Sequence, residues 1–166
     1  MSLSMYDLSV PALQRGLGVL SRYLDKASAY ATERGFEPSI LVNARLAPDM
    51  LPLVGQVQRA SDTSKGGIAR LTGLTAPSFP DTETTIDELK ERIARTVAFL
   101  QTVTPQQLDG SAERLIESRA IGTMPGATHL LGFVLPNFYF HVATAHAILR
   151  HNGVPVGKKD YLGANS

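Results

Sequence analysis

Histidine chemistry dominates the last quarter of the chain. Of its four histidines, three (His141, His146 and His151) fall within eleven residues, and His129 lies just upstream. Imidazoles invite two chemistries, metal ligation and proton transfer at neutral pH. Spacing separates them. On a helix of about 100° per residue, His141 and His146 stand about 140° apart, whereas a helical chelate uses steps of three or four. The two therefore do not share one ion from a regular helix. His141 lies roughly 70° to one side of the apolar line Phe138, Val142, Ala145, Leu149, and His146 roughly 70° to the other. His141 is the best candidate for a general base or single ligand; the plainer reading is a hydrogen-bonded residue at the core edge. His146 shares its face with Tyr139 and Arg150, as a polar surface would. His151 near the helix end is explained by the helix dipole. The direction of His129 is not readable from spacing.

A second group sits earlier. Gln58, Asp62 and Lys65 follow one another at steps of four and three, which makes a polar stripe beside an apolar seam. Such a stripe can be a solvated face with an internal Asp62–Lys65 pair, or one wall of a pocket. If a pocket exists between this helix and the histidine helix, its lining is expected to be Gln58, Asp62, Lys65, Asn137, Tyr139 and His141. Asp62 would then be the carboxylate that orients His141. Other templates are missing. There is no cysteine, hence no thiolate chemistry, and no Gly-x-Ser-x-Gly elbow or glycine-rich phosphate loop occurs.

These side chains need four amphipathic segments to position them. The first is expected to start near Val10-Pro11, with Leu13, Leu17, Leu20, Leu24, Ala27 and Ala31 as its seam and Gly35 as its end. The connector over 36–47 has a stretch, Ile40 to Val42, that reads as extended. The second helix is expected to open at Pro48-Asp49 and run along Met50, Val54, Val57, Ser61, Ser64, Ile68 and Leu71 to Gly73. Two serines interrupt that seam, allowing close approach or leaving room. After a Pro/Thr/Ser-rich loop, Thr85 and Glu88 form a capping box. They open a third helix along Ile86, Leu89, Ile93, Val97, Leu100 and Val103, stopped by Thr104-Pro105. Residues 106–128 are less regular; Leu115-Ile116 and Ala120 to Met124 suggest a short hairpin. The fourth helix begins by Pro136, or earlier if Thr128 to Val134 is helical, and ends at Asn152-Gly153. Phe140 projects opposite its seam, as if a second surface covered it. The sum is an all-α chain: an up-down four-helix bundle with a longer crossover before the last helix.

Composition sets the class. At 166 residues, one domain over 1–166 can bury a core without staples. Lys and Arg total 16 against 15 for Asp and Glu, so no overall field draws the protein to nucleic acid or an anionic membrane. The start lacks the basic and apolar runs of a signal peptide, and no stretch approaches the ~20 apolar residues of a membrane span. A cytoplasmic address is the expectation.

The block Leu135-Pro136-Asn137-Phe138-Tyr139-Phe140-His141, with Ala145, Ile148 to Val154 and Gly157-Lys158, resembles an uncharacterised bacterial family of unknown function. Gln56-Val57-Gln58, Asp62, Lys65 and Ala69-Arg70-Leu71 with Gly73 match its second-helix pattern. That family resembles a branch of the DinB/YfiT-like bundles, described as metalloenzymes and often dimeric. The resemblance implies the bundle, the pocket between the second and fourth helices, and a homodimer. The wider superfamily holds a divalent metal through three histidines, one on the second helix. Here that helix has none, and Gln56 or Gln58 stands in the region. Glutamine is a poor ligand for zinc or nickel, so no metal or other cofactor is expected, and the partner is an unknown small molecule. The alternative is a metal-dependent enzyme using His141 with His129 or His146 and Asp62.

Overall fold

A computed structural model describes residues 3–118 and 122–163. Four long helices dominate: α1 (Met5–Arg34), α3 (Leu53–Thr72), α4 (Ile86–Gln101) and α6 (Leu135–His151). α3 packs on α4 and α6, and α1 packs on the same two from the other side. Short helices α2 (Ser39–Val42), α5 (Gly126–His129) and α7 (Lys158–Leu162), a 3-10 turn at Pro105–Leu108, a wider turn at Leu130–Val134 and a two-stranded sheet lie between and after them. Among the described residues no helix is long and apolar enough to cross a membrane.

Most of the expected seam positions are buried; Met50 precedes α3, Val103 follows α4, and Val54 and Val97 are half-buried. Leu13, Leu17, Leu20, Leu24, Ala27 and Ala31 of α1 are buried, as are Leu89, Ile93 and Leu100 of α4 and Phe138, Val142, Ala145 and Leu149 of α6. The two serines in the α3 seam are also buried and satisfied. Ser61 Oγ meets Thr96 Oγ1 of α4 at 2.7 Å, and Ser64 Oγ donates to the Ala60 carbonyl at 2.9 Å. Two glycines set close approaches to α6: a Cβ at Gly16 would lie 2.4 Å from the Phe138 ring, and one at Gly67 would lie 2.7 Å from a Val134 methyl.

Helix starts differ from expectation at two places. α1 begins at Met5, not near Pro11, because Ser4 and Asp7 form a capping box. That box satisfies free N–H groups one and a half turns earlier, and the helix runs through Pro11. α3 opens at Leu53 after Pro52 rather than at Pro48-Asp49, with Leu53 N–H bonded to the Ala44 carbonyl at 2.9 Å. Ile40 to Val42, read as extended, is the helical turn α2 instead; its N–H groups find the Glu37 and Pro38 carbonyls. The ends at Gly35, Gly73 and Gly153 all have positive φ, as a left-handed closing residue needs.

The crossover contains the hairpin. β1 (Leu115–Ser118) pairs antiparallel with β2 (Gly122–Pro125), with Ile116 opposite Met124. Ala120 and Ile121, assigned to the second strand from sequence, lie outside the described residues. The last long helix starts early, at Gly126, and passes through a π-type turn over Leu130–Val134. There Leu135 N–H reaches back five residues to the Leu130 carbonyl. Pro136 accounts for it: proline has no N–H for the fourth-preceding carbonyl, and its ring needs room there, which a wider turn supplies.

Candidate functional site

α3 carries two polar faces that point in different directions. Measured from Gln56, Thr63 lies within about 20°, whereas Gln58, Asp62 and Lys65 lie roughly 180–240° around the helix. The first face meets α6 and the second meets α4 and the 74–85 loop.

On the α6 side, His141 Nδ1 and Gln56 Oε1 are 2.8 Å apart, and Gln56 Nε2 donates to the Leu51 carbonyl at 2.9 Å. The second bond settles the first. With its amide nitrogen committed to Leu51, Gln56 presents only an acceptor, so the His141 proton sits on Nδ1. His141 Nε2 therefore holds a lone pair. The residue as a whole is 9% exposed. Burial, then the nearby Arg59 guanidinium, holds the His141 pKa below the ordinary histidine value, and the ring is neutral at pH 7. One turn away, Asn137 Nδ2 donates to Thr63 Oγ1 at 2.9 Å. Phe140 stands edge-on to the imidazole at 5.3 Å.

The α4 side is organised by a residue that the sequence reading did not single out. Arg92, 2% exposed, donates to Asp62 Oδ1 at 2.8 Å, Glu83 Oε1 at 2.9 Å and the Pro80 carbonyl at 3.1 Å, and pairs with Asp81 at 3.0 Å. Gln58 Nε2 adds a bond to Glu83 Oε2 at 2.8 Å, and Lys65 Nζ lies 2.9 Å from Asp62 Oδ1. Arg59 bridges Asp62 and Asp81. Phe79 lies beneath three cations, with Arg95 closest at 4.2 Å from its centroid. Burial alone would push the Glu83 carboxyl up, but bonds from Gln58 and Arg92 outweigh it and hold it below its usual range. Burial likewise disfavours the Arg92 charge, and Glu83 and Asp62 more than compensate. This is a clamp that ties the 74–85 loop to α3 and α4. The unmet signal was the acidic loop: Asp81 and Glu83 beside the Asp62 stripe needed a buried cation, and Arg92, next to the Ile93 seam and one turn before Thr96, was placed to be it.

The expected single lining thus divides. Gln58, Asp62 and Lys65 come together in the clamp. Asn137 and His141 come together on the opposite face of α3. Tyr139 joins neither, its ring edge-on to Phe138 at 5.4 Å. Asp62 does not orient His141; it is committed to Arg92 and Lys65, and Gln56 does the orienting. The other imidazoles are separate again. His129 is fully buried and stacked on Phe133 at 5.7 Å, with neither ring nitrogen partnered; burial, then Arg70, lowers its pKa. His146 Nδ1 lies 2.7 Å from the Tyr23 hydroxyl. Among the described residues no three or more His, Asp or Glu are grouped to hold a metal ion.

The matches to known proteins agree in scale with this fold. A family model described as "Domain of unknown function (DUF1993)" matches residues 5–162. The crystal structure of a DinB family member protein from Shewanella denitrificans is similar, with TM-score 0.92 and 42% identity over 96% of this chain and 92% of that one. No curated protein matches the chain.

Proposed function

The chain belongs to the family described as domain of unknown function DUF1993, and from that premise we propose that it is a single-domain, DinB-like up-down four-helix bundle that receives a small polar molecule on the face between α3 and α6. His141 Nε2 is the group that meets it. One observation carries this reading: the bond from Gln56 Nε2 to the Leu51 carbonyl leaves Gln56 as acceptor only, so a neutral imidazole is held with Nε2 as its basic nitrogen. Such a group accepts a proton or a donor hydrogen from a ligand. Asn137, fixed by Thr63, supplies an amide one turn away. Gln58, Asp62 and Lys65 act at a distance, by holding the loop over α4.

The three-histidine metal chemistry of the wider superfamily does not fit these residues. His129 and His146 are engaged in other packing, and the α3 residue facing His141 is an amide that already spends both its ends. The alternative, a zinc or nickel enzyme built on His141, is tested by metal analysis of protein purified without a histidine tag. Stoichiometric metal that disappears in His141→Ala would overturn the proposal. Long-range nitrogen NMR tests the proposal directly: His141 is expected in the Nδ1–H form, and an Nε2–H form would count against it.

We further propose a cytoplasmic homodimer. Leu131 and Phe140, 52% and 54% exposed, flank Pro136 on the outer side of this helix, an apolar face that a second copy would cover. A monomeric mass by light scattering at micromolar concentration would remove this part of the reading.

A further inference from the structure

A cleft of about 240 Å³ lies between α6 and α7, walled by Ala143, His146, Lys158 and Tyr161. It is about 140° around α6 from His141 and independent of the site discussed above. Its floor is apolar, made by the Ala143 methyl and the Tyr161 ring, which stands edge-on to His146 at 6.4 Å.

The polar groups at its rim have a fixed sense. Tyr23 is 1% exposed, so its phenol proton has no water to meet and needs an acceptor. Its partner is His146 Nδ1, 2.7 Å away. A buried O–H that donates to Nδ1 leaves the imidazole proton on Nε2, on the other nitrogen of a ring that is one wall of the cleft. Lys158 is exposed beside it. The nearest carboxylate on α7, Asp160, is already taken: Lys26 Nζ lies 2.6 Å from Oδ1, and Gly157 N–H donates to Oδ2 at 2.7 Å. The rim therefore offers an N–H and an ammonium; the carboxylate that acts on His146, Asp160, divides its two oxygens between Lys26 and Gly157.

We propose that this cleft is a binding site for a small organic acid, its apolar body against Ala143 and Tyr161 and its carboxylate received by His146 Nε2–H and Lys158 Nζ. The Tyr23 hydroxyl, reached through the core from α1, is the positioning group that keeps the His146 proton on Nε2. A carboxylate fits both donors at once, and a ring or short chain fits the floor; a cation would be repelled by Lys158, and a neutral molecule would leave the ammonium unmet.

The test is an NMR titration of the full-length protein with benzoate, with benzyl alcohol as the neutral control of the same shape. Benzoate is expected to shift His146 and Tyr161 signals saturably, and benzyl alcohol to bind at least about fivefold more weakly. Lys158→Met should weaken benzoate by a similar factor, and Ala143→Leu should block it. Both positions are exposed, and unchanged melting would show that each variant is folded. No saturation by about 10 mM benzoate, equal binding of the alcohol, or indifference to Lys158→Met would overturn the proposal. So would shifts of these same residues on diluting the ligand-free protein, which would give the cleft to a second copy of the chain.

Discussion

Replacing Gln56 by leucine removes the acceptor that His141 Nδ1–H uses and leaves a buried donor unmet. The expected cost is about 1–3 kcal/mol of stability, read by urea unfolding. The imidazole should also lose its single protonated form, read by nitrogen NMR as a mixture of both neutral tautomers. A variant with unchanged tautomer would mean that something other than Gln56 holds the ring. The sequence made His141 stand out by residue type, but its partner was not legible. Asp62 and Gln56 sit six residues apart on α3, and choosing between them needs the rotation of the helix about its axis. The polar stripe marked one face, and Gln56, which meets His141, is on another. Arg92 was hidden for a related reason: a charged residue beside a seam looks like a solvated edge until an acidic loop folds over it.

Helix packing makes different demands at two close approaches. Gly67→Ala should gain up to about 1 kcal/mol of helix propensity but place a methyl within 2.8 Å of both Val134 methyls. Overpacking of this kind costs typically 1–3 kcal/mol, so a net loss of about 1 kcal/mol is expected on denaturant unfolding; a more stable variant would show that α3 and α6 can part cheaply. Arg92→Leu removes the cation shared by Asp62, Asp81 and Glu83. Stranding buried acids costs about 3–5 kcal/mol. Because Asp62 and Asp81 remain partly in water, the lower end, about 3 kcal/mol, is expected, together with faster proteolysis in the 74–85 loop. Seams, glycine ends and the Thr85–Glu88 box were readable because each is a local rule. The starts of α1 and α3 differ from expectation because the Ser4–Asp7 box and Pro52, rather than Pro11 and Pro48, stand at them.

Over the whole molecule, three imidazoles are held neutral by burial: His129, His141 and His146 all have lowered pKa values. The unfolded chain therefore binds protons more readily than the folded one as pH falls. Their stabilising contribution is complete above the unfolded value near 6.5 and is lost as pH descends through the lowered folded values. Glu83, lowered from 4.5, extends the loss further into acid. Urea midpoints should fall steadily below about pH 6.5, and His129→Leu should flatten that slope, since it removes two unpartnered buried nitrogens along with the titration. An unchanged slope would show that His129 does not contribute. The overall helical architecture was legible because it follows from four seams and the loops between them. The wide turn at Leu130–Val134 was not, yet it governs the length of the chain there. One residue more or less in a helix rotates everything beyond it by about 100°. Deleting Gly132, which has open space around it, would restore an ordinary helical turn but swing His129 and the hairpin off the end of α3, where Gly126 sits against Leu71 and Ser111. This turn is a phase adjuster. Substitutions in it can be mild, but a change in residue number would uncouple one end of the protein from the other.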